Sequence, residues 1–166
     1  MANPYSTMTE RLVAYLPPAL EALGYTGIEA RRGIWKPGTL APFTRYLVFV
    51  APPISNPWDE RRIATREVAF LLRAELFLLV KNYNEDQSVF GDTAPNLGVF
   101  QLIKDVKDLL RQTDLSGLVD RTYKETESGS AFEAGAAGGF DSGSHEWVHR
   151  AKLVYSAQTH AFCHPS

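Results

Sequence analysis

The chain has 166 residues, with 17 Lys and Arg against 19 Asp and Glu, a formal net charge of -2, 45% apolar and 11% aromatic side chains, and one cysteine. That length and apolar content suit a single domain with a real core and exclude a disordered chain, while the lone Cys163 excludes an internal disulfide framework and any thiolate-rich zinc site built by one chain. The charge balance lacks the basic footprint that tight nucleic-acid binding requires, and no apolar run reaches the roughly 18 residues of a membrane span; residues 1–10 carry neither the basic nor the apolar part of a signal peptide, so a cytoplasmic product is expected.

Thr7-x-x-Glu10 has the form of a capping box, and Met8, Leu12, Tyr15, Leu16, Ala19 and Leu23 follow at helical spacing, so a helix is expected from about Thr7. Pro17 and Pro18 remove two amide donors and predict a kink or restart, and Gly24 is placed to end the helix in a left-handed cap. Two strands are expected at 28–34 and 44–51, the second a nearly continuous buried run; 35–43 reads as a turn, Pro52-Pro53 ends the second strand, and 55–58 reads as irregular.

The segment 63–83 fits two templates. With period two, Val68, Phe70, Leu72, Ala74, Leu76, Leu78 and Val80 share one wholly apolar face; with period 3.6, Val68, Leu71, Leu72, Leu76 and Leu79 also make a stripe. The complete seven-residue alternation favours a long strand. After breakers at 94–98, with Asn96 as a candidate cap, Val99, Leu102, Ile103, Val106, Leu109 and Leu110 predict an amphipathic helix over 99–111, with Leu102, Ile103, Val106 and Leu110 buried. Leu115 and Leu118 around Gly117 read as a loop tucked back into the core.

From 127 to 144 the composition is Gly, Ser and Ala with Phe132 and Phe140 set into it, which predicts a long mobile loop. His145, Trp147, His149, Ala151, Leu153, Tyr155 and Ala157 then alternate with mostly polar residues as a strand with one largely apolar face. These elements predict one α+β domain spanning 1–166, with a mostly antiparallel or mixed sheet packed with two or more helices.

No catalytic, cofactor or metal site is expected. His145 and His149 are four apart, a spacing that serves a metal on a helix, but on a strand their rings stand about 13 Å apart. Asp141, Cys163 and His164 do not repair that. Ser142, Ser144, His145 and Asp141 contain the letters of a hydrolytic triad in a Gly-Ser loop without a rigid mount for the nucleophile, and Gly135-Ala-Ala-Gly138-Gly139 lacks the spacing of a dinucleotide fingerprint. Trp35, Trp58, Phe90, Phe132 and Phe140 lie in expected loops and are candidate interface residues, since a rigid ring gains contact area at low entropic cost; the alternative for each is packing on its own core. Asp59, Glu60, Glu85, Asp86 and Asp92 read as solvated surface charge.

The order of elements and three stretches resemble the tail terminator, or tail completion, proteins of tailed bacteriophages, particularly those of Mu-like contractile phages. The stretches are Arg73-Ala-Glu-Leu-Phe-Leu-Leu-Val-Lys-Asn-Tyr-Asn84, Gly98-Val-Phe-Gln-Leu-Ile-Lys-Asp-Val-Lys-Asp-Leu-Leu110 with Leu115-Ser-Gly-Leu118, and Lys152-Leu-Val-Tyr-Ser156. The resemblance implies that the first is a core strand, the second a helix laid across the sheet and the third the closing strand. It further implies a structural, non-enzymatic virion protein at the head-proximal end of the tail, a subunit of a homo-hexameric ring that caps the tail tube, halts polymerisation and joins the tail to the neck. Its partners would be its own copies, the tail tube protein, the sheath protein where a sheath exists, and a neck or head-completion protein, with no cofactor. Another head-tail joining protein, neck adaptor or tube-like, is the near alternative; a small enzyme or ligand-binding domain is the distant one.

Overall fold

The structure is a computed structural model that describes residues 3–36, 40–53, 56–120, 130–133, 139–141, 146–160 and 162–163, with the backbone alone at 130–133, 139–141 and 162–163. In chain order the elements are α1 (Pro4–Glu21), β1 (Glu29–Arg32), β2 (Tyr46–Ala51), β3 (Trp58–Ala64), β4 (Glu67–Asn82), α2 (Glu85–Phe90), β5 (Asp92–Thr93), β6 (Asn96–Leu97), α3 (Val99–Gln112), β7 (Ser130–Glu133), β8 (Gly139–Asp141), β9 (Glu146–Gln158) and β10 (Phe162–Cys163). This is the expected α+β architecture, with a mixed, mostly antiparallel sheet.

The sheet is organised around β4. Its residues 75–80 pair with β2 and its residues 67–72 with β3, while the opposite edge takes β9 along 71–82 and then β10 at Glu67 and Val68. β7 and β8 lie on the far side of β9, and β1 pairs in parallel with β2, giving the order β1-β2-β4-β9-β7. The 63–83 ambiguity therefore resolves to strand. Leu72, Ala74, Leu76, Leu78 and Val80 of β4 join Tyr46, Val48 and Val50 of β2 and Ala151, Leu153, Tyr155 and Ala157 of β9 in one buried face. Met8, Leu12, Leu16 and Leu20 of α1 and Val99, Leu102, Val106 and Leu110 of α3 cover it. The other face holds Leu47, Phe49, Ala51, Phe77, Leu79 and Val148 under Phe43, with Trp35 and Leu40 packed on top.

Several expectations need correction. The α1 cap is not Thr7. Asn3 Oδ1 accepts from the Tyr5 amide at 2.9 Å, and Pro4 occupies the first helical position, where its missing donor costs nothing and its fixed φ favours the helix. The Thr7 hydroxyl instead donates back to Asn3 O within the first turn. Pro17 and Pro18 do not split the helix either; it runs through both, because Leu12, Leu16 and Leu20 are fully buried on the sheet and hold it there. Gly24 does end it as expected: at φ +106° it lets the Tyr25 amide reach Leu20 O and its own amide reach Glu21 O.

Asn96 is not the cap of α3. It lies in β6 and accepts from Arg45 Nη2 at 2.8 Å, and the cap is Gly98, where an added Cβ would fall 2.7 Å from Gln87 O and from the Val89 backbone. Ile103 is half-buried at the margin of α3 rather than buried, whereas Leu102, Val106 and Leu110 are buried. Asp105 of α3 accepts from the hydroxyl of fully buried Tyr25 at 2.7 Å, and burial together with that bond pushes the Tyr25 phenol up. Leu115 is buried as expected, in a turn where Leu115, Ser116 and Gly117 all have positive φ and Arg11 donates to the carbonyls of Leu115 and Ser116.

The 127–144 stretch is not one long mobile loop. Ser130–Glu133 and Gly139–Asp141 pair with β9 as β7 and β8, since an open strand edge offers ladder bonds that need no particular side chain; the rest of it lies outside the described residues. The irregular stretch expected at 55–58 and the long strand expected from 63 give way to a separate strand, β3, over Trp58–Ala64, with the long strand starting at Glu67. Among the described residues no helix is long and apolar enough to cross a membrane.

Candidate interaction surfaces

The five candidate aromatics go to different places. Trp35 is not a free loop ring: it stacks on Phe77 at 4.1 Å between centroids and 8° between planes, meets Phe49 edge-on at 5.2 Å, and lies 5.1 Å from the Arg150 guanidinium. That guanidinium also sits 5.5 Å from the Phe77 ring. Trp35 is thus a lid on the second face of the sheet. Trp58 opens β3, 39% exposed, with its ring 6.3 Å from that of Tyr5. Phe90 ends α2 and is 68% exposed; its ring lies 5.5 Å from that of Phe100, itself 42% exposed. Phe132 falls in β7 and Phe140 in β8, opposite Ala151 and Trp147, and their side chains lie outside the described residues.

The longest exposed strand is β3, whereas the part of β4 it pairs with buries Val68, Ala69, Leu71 and Leu72. From Trp58 to Ala64 every residue is exposed except half-buried Asp59, which pairs with Arg73 Nη1 at 2.8 Å. Strands exposed on both faces contribute little to a core, and an unpaired outer edge is a template for another chain. Among the described residues β1, β3, β7, β8 and β10 form the outer edges of the main sheet. Glu85 and Asp86 occupy the first turn of α2, where negative charge favours the helix dipole, and Asp92 is exposed in β5. The acidic residues therefore do not converge.

One buried polar cluster was not foreseen. Ser88 Oγ of α2 lies 2.7 Å from His149 Nδ1 of β9, and His149 Nε2 lies 3.9 Å from Glu85 Oε1. The trio has the composition of a hydrolytic triad, but its serine is not presented for reaction. Ser88 Oγ has two partners, Glu85 O at 2.6 Å and His149 Nδ1, and which of them takes the hydroxyl proton follows from the imidazole tautomer. Ser88 is also fully buried. The cluster pins α2 onto the end of β9. Burial pushes the His149 pKa below the usual imidazole range, and nearby Glu85 opposes that shift.

His149 is one of five candidate ligands for a metal, with His145, Asp141, Cys163 and His164. Its ring is engaged by α2, and the His145 and His164 positions lie outside the described residues, as do Ser142 and Ser144. Among the described residues no group of three or more His, Cys, Asp or Glu side chains is placed to hold a metal ion. The one signal for the Ser88–His149 bond was the placement of His149 on the apolar face of its strand, which obliges a buried imidazole to find a partner. No protein-family model matches this chain, and no curated protein matches it.

Proposed function

We propose that this protein is a ring-forming tail terminator of a tailed bacteriophage, of the Mu-like contractile type, which caps the head-proximal end of the tail tube and joins it to the neck. The observation that carries the reading is the placement of the three stretches on which the resemblance rests. Residues 73–84 contribute the central strand and its exit, 98–110 the helix laid over the sheet with 115–118 tucked beside it, and 152–156 the strand hydrogen-bonded to β4.

The shape of the chain's resources supports the same reading. One face of the sheet is consumed by a helical core, the Ser88 hydroxyl is buried, and what remains for function is surface: the exposed strand β3, open strand edges and the Phe90–Phe100 pair. A cyclic ring uses edges heterologously, each subunit presenting one to its neighbour. Termination then follows from complementarity: one ring face matches the growing end of the tube, and the other offers the next tube subunit no seat. DNA must slide through such a ring, which suits a chain of net charge -2.

The test is direct. Purified protein added to tail tubes should give, in negative stain, a ring at one end only, and a phage lacking the gene should make tails of uncontrolled length that the supplied protein corrects. Binding at the neck with no effect on tube length would replace this reading with that of a neck adaptor.

A further inference from the structure

A polar cleft of about 540 Å³ opens where β2 begins, β4 ends and α2 starts. Two cations line it. Arg45 and Lys81 are joined through the backbone, the Lys81 amide donating to Arg45 O at 2.8 Å. Their side chains have neutral partners only: Arg45 donates to Asn96 Oδ1 and lies 5.5 Å from the Tyr46 ring, and Lys81 Nζ donates to Phe43 O at 3.1 Å and lies 4.4 Å from the Phe43 ring. Among the described residues no carboxylate pairs with either, although Glu146 lines the same cleft. Both cations are half-buried, so their charge is less screened than that of a surface lysine.

Asn82 adds an independent observation. It lines the cleft, is only 6% exposed, and uses its Oδ1 to accept from the Asn84 amide, while its Nδ2 has no acceptor among the described residues. A buried amide donor left unmet costs free energy that an incoming acceptor recovers.

We propose that this cleft binds a carboxylate carried on an acidic peptide segment of a partner protein. An Arg fork and an ammonium beside a buried amide donor suit one carboxylate, to which guanidinium binds in bidentate fashion. The carboxamides of Gln87 and Asn96 at the walls each offer a donor and an acceptor, the pattern of a peptide bond. Glu146 sets the ligand class further: an acid in the wall tolerates one carboxylate between the cations but repels the closely spaced charges of a nucleic-acid backbone. The inference stands apart from the ring reading, since it concerns the cleft alone.

The experiment titrates the full chain with a fluorescein-labelled peptide centred on Ser-Glu-Ser, its single carboxylate flanked by neutral residues, alongside its Ser-Gln-Ser counterpart, with inorganic phosphate and an eight-residue oligothymidylate as competitors. The acidic peptide should bind saturably, at least tenfold more tightly than the neutral one and less tightly as salt is raised. Arg45→Gln and Gln87→Glu should each weaken it at least tenfold, and Gln87→Glu does so without touching the Arg45–Asn96 bond should the first variant fold poorly. Failure of the acidic peptide to bind, equal binding of the neutral one, or undiminished affinity in folded Gln87→Glu overturns the proposal. Displacement by phosphate or oligothymidylate at lower concentration than by unlabelled acidic peptide overturns it in favour of a phosphate site.

Discussion

The two faces of the sheet are built on opposite plans. The face under α1 and α3 is closed by aliphatic side chains, most of them fully buried, that interlock along two helices. The other face has no helix over it among the described residues; a single connecting segment lays Trp35 across Phe77 and Phe49, with the Arg150 guanidinium against the rings. The first depends on volume, the second on a few flat contacts. Under the proposed ring reading that asymmetry has a use, because the helical face can hold the fold while the edges are left to meet neighbours.

Substitutions on the two faces should separate these plans. Leu76→Ala, at the centre of the helical face, is expected to cost about 2–5 kcal/mol in urea unfolding, the range for a buried leucine whose surroundings cannot collapse. Trp35→Ala should cost about 1–3 kcal/mol, since the ring is only half-buried and its ring contacts are worth roughly 0.5–1.5 kcal/mol beyond area. Equal losses would mean that the plated face is as much a core as the other.

A smaller, pH-dependent effect should come from the α2 anchor. The folded pKa of His149 lies below that of the unfolded chain, so the unfolded state takes up its proton first as pH falls. The contribution of neutral His149 is fully present above the ordinary imidazole pKa of about 6.5 and is lost as pH falls below it. The thermal midpoint should thus drop between about pH 7 and 5 more steeply than in His149→Gln, and equal slopes would place the ring in solvent. Least of all, Trp58→Ser on the exposed strand β3 should leave stability within about 0.5 kcal/mol, as expected of a surface site. Under the ring reading it should still weaken assembly, read as loss of ring particles.

Why some of this was readable and some not follows from where each element spends its side chains. α3 and β9 each bury one largely apolar face, so their periods of 3.6 and 2 stood out, and Gly24 ended α1 where its left-handed geometry demanded; β4 buries Leu71, Phe77 and Leu79 on its second face as well, which is why a helical stripe competed with its alternation. β3 buries nothing, so Asp59-Glu60-Arg61-Arg62 carried no alternation to read. α2 spans six residues, fewer than two turns, and β10 two, too short for any period. Asn3-Pro4 was a legible cap overshadowed by the capping-box pattern four residues on. At the surface, Trp35 looked like a loop anchor because nothing local reveals that residues 35 and 77 are neighbours. The cleft was equally hidden, its cations and carboxamides coming from strands and turns far apart in the chain.

The pairing of β4 with β9 also dictates when the molecule can come into being during synthesis. The ladder joins residues 71–82 to 147–158, so everything from α2 to β8 must be made before the middle of the sheet can close. Until then β4 has β2 and β3 on one edge and nothing on the other, with its most apolar stretch exposed. A nascent chain in that state is a sticky intermediate, and one subject to capture by other half-made copies. Chains stalled at residue 120 are therefore expected to be cut readily by protease along β4, and resistance should arrive in one step once residue 158 is free.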